Sequence, residues 1–547
     1  VVYNFSRENS FRNMLKKYVY FIILVISLSI LCHCARRGSP TGGPKDETPP
    51  VLLQVTPPSG TTGFDKKKIR LVFDELVTIK DLRKHLIISP PMENFPIVTP
   101  MNASKSLEIS ILDTLKPNTT YVFNFGNSIQ DYNEGNIYKD FKYVFSTGKF
   151  IDSLKVTGKI KDALKSKPDK SVVVMLYEYN ESYKDSVVYK NKPLYIGYAN
   201  DSLNTFEINH IREGKYMLMA MQDKNNNYLF NQKEDKIAFL ERPIFVKSDS
   251  IASYELTLFK EKWNYKAARP IQASENRFIF GFEGGTDSVK IEPISKQTDD
   301  FKYIISKEPK KDTLNFWFSP KQDSLRFTVT KGQKIDTFTT RLRKMKPDSL
   351  QISNLFSGDL PKGKHFGWKS NIPIMKMDST KVQVFEKDSV SIPFKTKLSE
   401  DRLEYRIVFD TKYGESYRVK AFPEAMVDFF GKTNDTLEVK LRTKKQDEYS
   451  VLKLTLKGEV DYPILIQLTD EKGDVHRELY TEKPENQYIF EAVPPKKYRL
   501  RIIEDKNGNK KWDTGNFLKR QQAEKIIHHP KEIELRANWD IEETFSW

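Results

Sequence analysis

Two short runs place oxygen-bearing side chains at alternating positions. Asp505, Asn507, Asn509 and Asp513 occupy positions 1, 3, 5 and 9 of a loop frame, with the Lys511 carbonyl at 7. Asp223, Asn225, Asn227, Asn231 and Glu234 occupy positions 1, 3, 5, 9 and 12 of a second frame. A tight loop with that spacing can aim six or more oxygens at one Ca2+ ion. Position 6, which such a loop fills with glycine, is Lys510 in one run and Tyr228 in the other, and Asn516 stands at position 12 of the first. The same residues also suit a polar β-hairpin, where Asn and Gly supply left-handed turn conformations. Ca2+ is the one cofactor they suggest.

Other chemistry finds little support in the residue pattern. Gly358-Asp359-Leu360-Pro361-Lys362-Gly363-Lys364-His365 approaches a phosphate-binding loop, but His365 stands where a magnesium-binding hydroxyl is needed. The seven histidines form no His-Glu-x-x-His pair, and His528-His529 face opposite ways on a strand. No Gly-x-Ser-x-Gly elbow occurs. Asp74-Glu75 is an acid pair of the kind that 73 acidic residues produce by chance, so no catalytic residue is assigned and the chain reads as a non-enzyme. A hydrolase carrying accessory sandwiches is a distant alternative, because two glycosidase carboxylates can lie far apart in a chain.

Both cysteines, Cys32 and Cys34, follow Lys16-Lys17 and the charge-free run 18–31. That run is too short for a comfortable membrane span and has the plan of a secretory signal. Leu31-Cys32-His33-Cys34 resembles the bacterial lipobox, which implies a signal peptide over 1–33, with translation starting at Val1 or Met14, and acylation of Cys34. An ordinary cleaved signal with two incidental cysteines is the other reading. Residues 34–49 are rich in Gly and Pro and read as a tether. The whole start, ending Gly42-Gly43-Pro44-Lys45-Asp46-Glu47-Thr48-Pro49-Pro50, resembles Ig-like-domain lipoproteins of Bacteroidota. The resemblance implies a lipid anchor on the outer membrane. Arg36 and Arg37 stand where surface-exported relatives carry acids, which favours the periplasmic face.

Beyond residue 50 the elements that must position these residues are strands. Ile69, Leu71 and Phe73 alternate with Arg70 and Val72; Leu325, Phe327 and Val329 alternate with Arg326 and Thr328; Tyr498, Leu500 and Ile502 alternate with Arg499 and Arg501. Side chains two apart share a face, so each run has a buried and a wet side. The fold class is all-β, a series of tandem β-sandwiches behind the signal.

Residues 50–148 resemble a bacterial Ig-like domain of the SbsA type, through Asp74-Glu75 after the 69–73 strand, Pro117-Asn118-Thr119-Thr120-Tyr121, Asp131, Gly135-Asn136 and Phe145-Ser146-Thr147-Gly148. A weaker copy spans 346–447, where Tyr417, Asp428, Gly431 and Thr443 repeat the order. Gly214-Lys215-Tyr216 to Asp223 matches Lys496-Lys497-Tyr498 to Asp505, with tyrosine and aspartate seven apart in both. Those units, 149–262 and 448–547, resemble prealbumin-like, carboxypeptidase-regulatory β-sandwiches. Residues 263–345 read as a further Ig-like sandwich. Such arrays form rods or bent chains.

The chain has 547 residues and a formal net charge of +16. An exported protein of this charge meets acidic envelope surfaces, such as lipopolysaccharide or lipid heads, and other envelope proteins, and no nucleic-acid partner is expected. Six tryptophans over five units suggest about one core Trp each. The expectation is a lipid-anchored scaffold or interaction subunit, accessory to an outer-membrane complex for barrel assembly, secretion or uptake. The rival is a surface glycan-binding lipoprotein that stacks sugars on Trp.

Overall fold

The computed structural model describes residues 45–248, 253–295, 298–308, 311–320, 322–387 and 390–547. The signal, Cys32 and the lipidation reading at Cys34 lie outside them, as does all of the tether before Lys45. The described chain is almost wholly β, and its strands pair into sheets that enclose separate apolar cores. Among the described residues five sandwiches follow one another, referred to below by their order.

In the first, strand Lys68–Ile79 pairs with Leu52–Thr56 and Ser104–Ser110, and a second sheet runs through Ile87–Ser89, Thr120–Asn124 and Lys142–Ser146. The alternation read from the sequence is the cause: Ile69, Leu71 and Phe73 face inward and meet Phe123, Tyr143 and Phe145. A polar clasp closes one end. The Tyr121 hydroxyl accepts the Lys116 N–H at 2.8 Å, and Thr147 Oγ1 donates to the Lys116 carbonyl at 2.7 Å. The Asp131 carboxylate accepts the N–H groups of Glu134, Gly135 and Asn136, a turn that Gly135 completes at φ 80°.

The fourth sandwich repeats this clasp. The Tyr417 hydroxyl accepts the Lys412 N–H at 2.8 Å, Thr443 Oγ1 donates to the Lys412 carbonyl, and Asp428 accepts from Phe430 and Lys432. The third is built on phenylalanine. Strands Arg277–Glu283 and Thr313–Ser319 bring Phe278, Phe280, Phe316 and Phe318 against Phe327 of Ser324–Lys331.

The second and fifth sandwiches agree strand for strand. In the second, Val172–Glu178 and Gly214–Gln222 form the centre of one sheet, and Leu154–Asp162 lies between Thr205–Ile211 and Ser253–Leu258 in the other. In the fifth, Ile464–Thr469 and Lys497–Glu504 take the first role, and Ser450–Lys457 lies between Tyr488–Val493 and Asp540–Ser546. In both the final strand runs parallel to the opening one. Tyr216 and Tyr498 donate to the carbonyls four residues upstream, at Arg212 and Pro494. Gly158 is required by this packing: a Cβ there would approach the Tyr254 carbonyl oxygen to 2.1 Å and the Phe206 ring to 2.6 Å. Gly158→Ala is expected to destabilise the second sandwich by about 3 kcal/mol, read as a lower midpoint of the thermal transition it shares with the fifth.

Two expectations are corrected. The array is not a rod, because it bends far enough for the fifth sandwich to pack onto the second. The tryptophans are not one per core. Trp317 and Trp368 are buried, whereas Trp263, Trp539 and Trp547 are 39%, 54% and 40% exposed. Trp368 lies in the core of the fourth sandwich beside Tyr405 and Trp317 at a junction, while Phe and Tyr such as Phe123, Phe280 and Tyr488 fill the first, third and fifth cores.

Candidate functional site: the junction of the second and fifth sandwiches

The outer face of the central sheet in the second sandwich is unusually apolar. Alternate residues of its two middle strands, Val173, Met175 and Tyr177 with Met217, Met219 and Met221, lie on that face and are buried. Part of the cover is local, from Val188, Phe230 and Phe259. Ile87 of the first sandwich adds to it, and residues 505–524, the long loop of the fifth sandwich, contribute Phe517, Trp512 and Ala523.

Polar contacts fix that loop in place. Arg520 forms a fork with the Asp185 carboxylate, its Nε at 2.8 Å. Thr514 Oγ1 donates to the Lys260 carbonyl at 2.6 Å, and Gln522 Nε2 donates to the Phe239 carbonyl at 2.8 Å. The Phe517 N–H donates to the Glu261 carboxylate, and Lys262 pairs with Asp513 at 3.1 Å. On the other flank Arg501 Nη1 donates to the Leu164 carbonyl and Arg499 Nη1 to Ser166 Oγ. Apolar burial drives such a contact and the hydrogen bonds fix its register.

The two oxygen-rich runs named from the sequence both lie in these long loops. Asp505 is fully buried, and its carboxylate accepts the N–H groups of Asn509 and Lys510. Asn507 and Asn509 donate their side-chain amides to Asp513 Oδ2, at 2.7 and 2.6 Å. Asn507 most strongly, then Lys262 and Asn509, hold the Asp513 carboxyl below its usual range. In the other run Asp223 accepts from Asn225 and Tyr228, Asn225 donates to Glu234, and Asn231 Oδ1 accepts the Lys233 N–H. Asn227 Oδ1 accepts the Leu229 N–H. Burial pushes the Asp223 carboxyl up, against the pull of the Tyr228 N–H. The oxygens thus serve as anchors of the turns, and among the described residues no three His, Cys, Asp or Glu side chains form a metal-binding group. Sequence reading missed Asp235 and Glu524, which complete the same turns: Asp235 accepts from Lys224 and Asn231, Glu524 from Lys506 and Asp513.

Asp505→Ala is expected to lower stability by about 1–3 kcal/mol with or without calcium, because the turn loses the buried carboxylate that accepts the Asn509 and Lys510 N–H groups. A calcium role demands more: calcium must raise the melting temperature of the parent, and Asp505→Ala with Asp513→Ala must abolish that rise.

The phosphate-loop look-alike is an irregular connection. Gly358–Asp359 is a two-residue strand, Gly363 turns at φ 77°, and strand Phe366–Ser370 follows. His528 and His529 diverge: His529 meets Glu543 at 3.2 Å inside the fifth sandwich, while His528 lies opposite Arg501 at the junction.

Residues 46–147 match the bacterial Ig-like domain family. The match covers the first sandwich. No curated protein sequence matches the chain. Similar solved structures include the S-layer protein rSbsC, at 11% identity, covering 83% of this chain and 65% of that one, with a TM-score of 0.14. Another is a Salmonella alpha-2-macroglobulin reacted with methylamine, at 10% identity, covering 90% of this chain and 43% of that one, with a TM-score of 0.15. The I9-I11 tandem of titin matches at 11% identity over 51% of this chain and 100% of that one, with a TM-score of 0.12. Superpositions this loose carry no argument about arrangement. Among the described residues no helix is long and apolar enough to cross a membrane.

Proposed function

We propose that the chain is a non-enzymatic scaffold of the cell envelope, anchored through lipid on Cys34 to the outer membrane and facing the periplasm. It serves other envelope proteins as an accessory subunit of an outer-membrane complex. The observation that carries this reading is the set of fixed junctions between sandwiches. Ser89 Oγ accepts the Ile196 N–H across the first and second, Lys233 pairs with Glu283 across the second and third, and Arg277 pairs with Asp348 across the third and fourth. Tyr413 packs edge-on against Tyr449 across the fourth and fifth, and the fifth closes on the second. Neighbours in direct contact present their surfaces together, as a scaffold requires. Affinity purification of the native protein from membranes is expected to recover an outer-membrane partner in stable amounts; recovery of the chain alone overturns the reading. Metabolic labelling with a fatty acid, lost in Cys34→Ser, tests the anchor.

The exposed indoles Trp263, Trp539 and Trp547 favour a second reading, glycan binding at the surface. It requires binding on a glycan array that Trp539→Ala removes, and protease digestion of the protein on intact cells.

A further inference from the structure

We infer that the fifth sandwich is a clasp released by a proton: charging His528 opens its junction with the second sandwich and uncovers part of the methionine-lined face. His528 ends strand Ile526–His528 directly opposite Arg501. The Ala163 backbone of the second sandwich faces the ring and, like Asp162, favours its charged form, but more weakly than burial and Arg501 oppose it. Nε2 is buried and, among the described residues, has no hydrogen-bond partner. A neutral imidazole tolerates that site; an imidazolium would bury a second donor with nothing to receive it.

The charges around the ring sharpen the penalty. On its own sheet stand Arg501 and Arg499. Arg499 is paired with Glu532 at 3.1 Å. Arg501 Nε donates to Gln467 Oε1 at 2.7 Å and Nη1 to the Leu164 carbonyl, with no carboxylate in ion-pair contact among the described residues. From the second sandwich Asp162 faces the ring, but Lys236 already neutralises it at 2.5 Å and also meets Asp169. Asp162 further accepts the Leu164 and Lys165 N–H groups. A proton on His528 would therefore face the guanidinium of Arg501, whose nearest carboxylate, Glu478, acts on it only through Gln467. Burial first, then Arg501, holds the ring below the ordinary histidine range.

The sign follows from linkage. The released junction binds the proton more readily than the closed one, so closure is fully present above the ordinary histidine pKa, about 6.5. It is lost as pH falls below that value, by up to about tenfold per pH unit for one proton. Opening would take Phe517 and Trp512 away from Met217, Met219 and Phe239.

The test is amide hydrogen exchange on the full chain, corrected for the intrinsic pH dependence of exchange. The reporter is the Phe517 N–H, whose acceptor Glu261 lies across the junction. Its protection is expected to fall by up to about tenfold between about pH 7.5 and about pH 5.5. His528→Gln, which cannot charge, keeps it protected at both; His528→Arg leaves it open at both. Amides of Ile466 and Ile502 in the core of the fifth sandwich stay protected throughout, which distinguishes opening from unfolding. His528→Gln also separates His528 from the junction carboxylates Glu261 and Asp185. Protection of Phe517 that does not change with pH, or that falls equally in His528→Gln, overturns the proposal.

Discussion

Replacing Phe517 by alanine is expected to free the fifth sandwich from the second, at a cost of about 3–5 kcal/mol to the closed arrangement. The ring is fully buried, yet it belongs to the apolar cluster of the second sandwich, where it meets Phe239 edge-on at 5.1 Å. The fifth sandwich has a separate core, built on Leu454, Ile466, Tyr488 and Tyr498. Truncation therefore removes the apolar seal and leaves both sandwiches folded. The Arg520–Asp185 pair does not compensate, since an ion pair opened to water contributes about 1 kcal/mol or less. Calorimetry should show one shared transition in the parent splitting into two, and X-ray scattering should show a larger radius of gyration. A variant with the parent's transition and dimensions would show that the closure rests on other contacts. Gly515→Ala should act in the same direction, because a Cβ at that position would come to 2.6 Å from the Phe259 ring and from the Gln521 carbonyl oxygen.

Trp317→Ala should loosen the junction of the third and fourth sandwiches by a comparable amount, about 3–5 kcal/mol. Trp317 lies on the outer face of its sheet, buried against Ile372 and Phe429 of the fourth sandwich. Its Nε1 donates to Ser306 Oγ at 2.9 Å, and the Arg277 guanidinium sits over its face at 4.9 Å while forking to Asp348. Removing the indole takes away the platform that aims Arg277, so the ion pair weakens with the packing. The check is limited proteolysis near Asp348: cleavage between the two sandwiches should be much faster in the variant, with the Phe280 core of the third still intact by its melting curve. Unchanged cleavage would falsify the role given to Trp317.

Within single sandwiches the sequence was highly legible, because strand periodicity is a local signal. Ile69, Leu71 and Phe73 alternate in the chain and alternate in burial. The order of Tyr121 and Asp131 is repeated by Tyr417 and Asp428; the two tyrosines accept equivalent N–H groups, and both aspartates anchor turns, with different N–H partners. The junctions were not legible, since their partners are hundreds of residues apart and carry no periodicity. Phe517 reads as one aromatic in a polar loop, and only the fold reveals that Phe239 and Met217 await it. The one available hint was the run of methionines at 217, 219 and 221, apolar on the strand face opposite to Leu218 and Ala220, so that both faces of that strand are buried. The oxygen-rich loops were legible as loops, but the number of backbone N–H groups that Asp223 and Asp505 would serve was not.

The order of the chain gives the closure between the second and fifth sandwiches a consequence for synthesis. A polypeptide emerges from its N-terminus, so the second sandwich is complete before the last quarter of the chain exists. Until residues 512–523 arrive, Met217, Phe239 and Phe259 lack part of their cover, and the nascent protein presents an apolar face to its surroundings. A chaperone that binds such surfaces would find its longest-lived target there. A chain that stalls after the fourth sandwich would keep the face uncovered, and aggregation should begin from the second sandwich and not from the broken end.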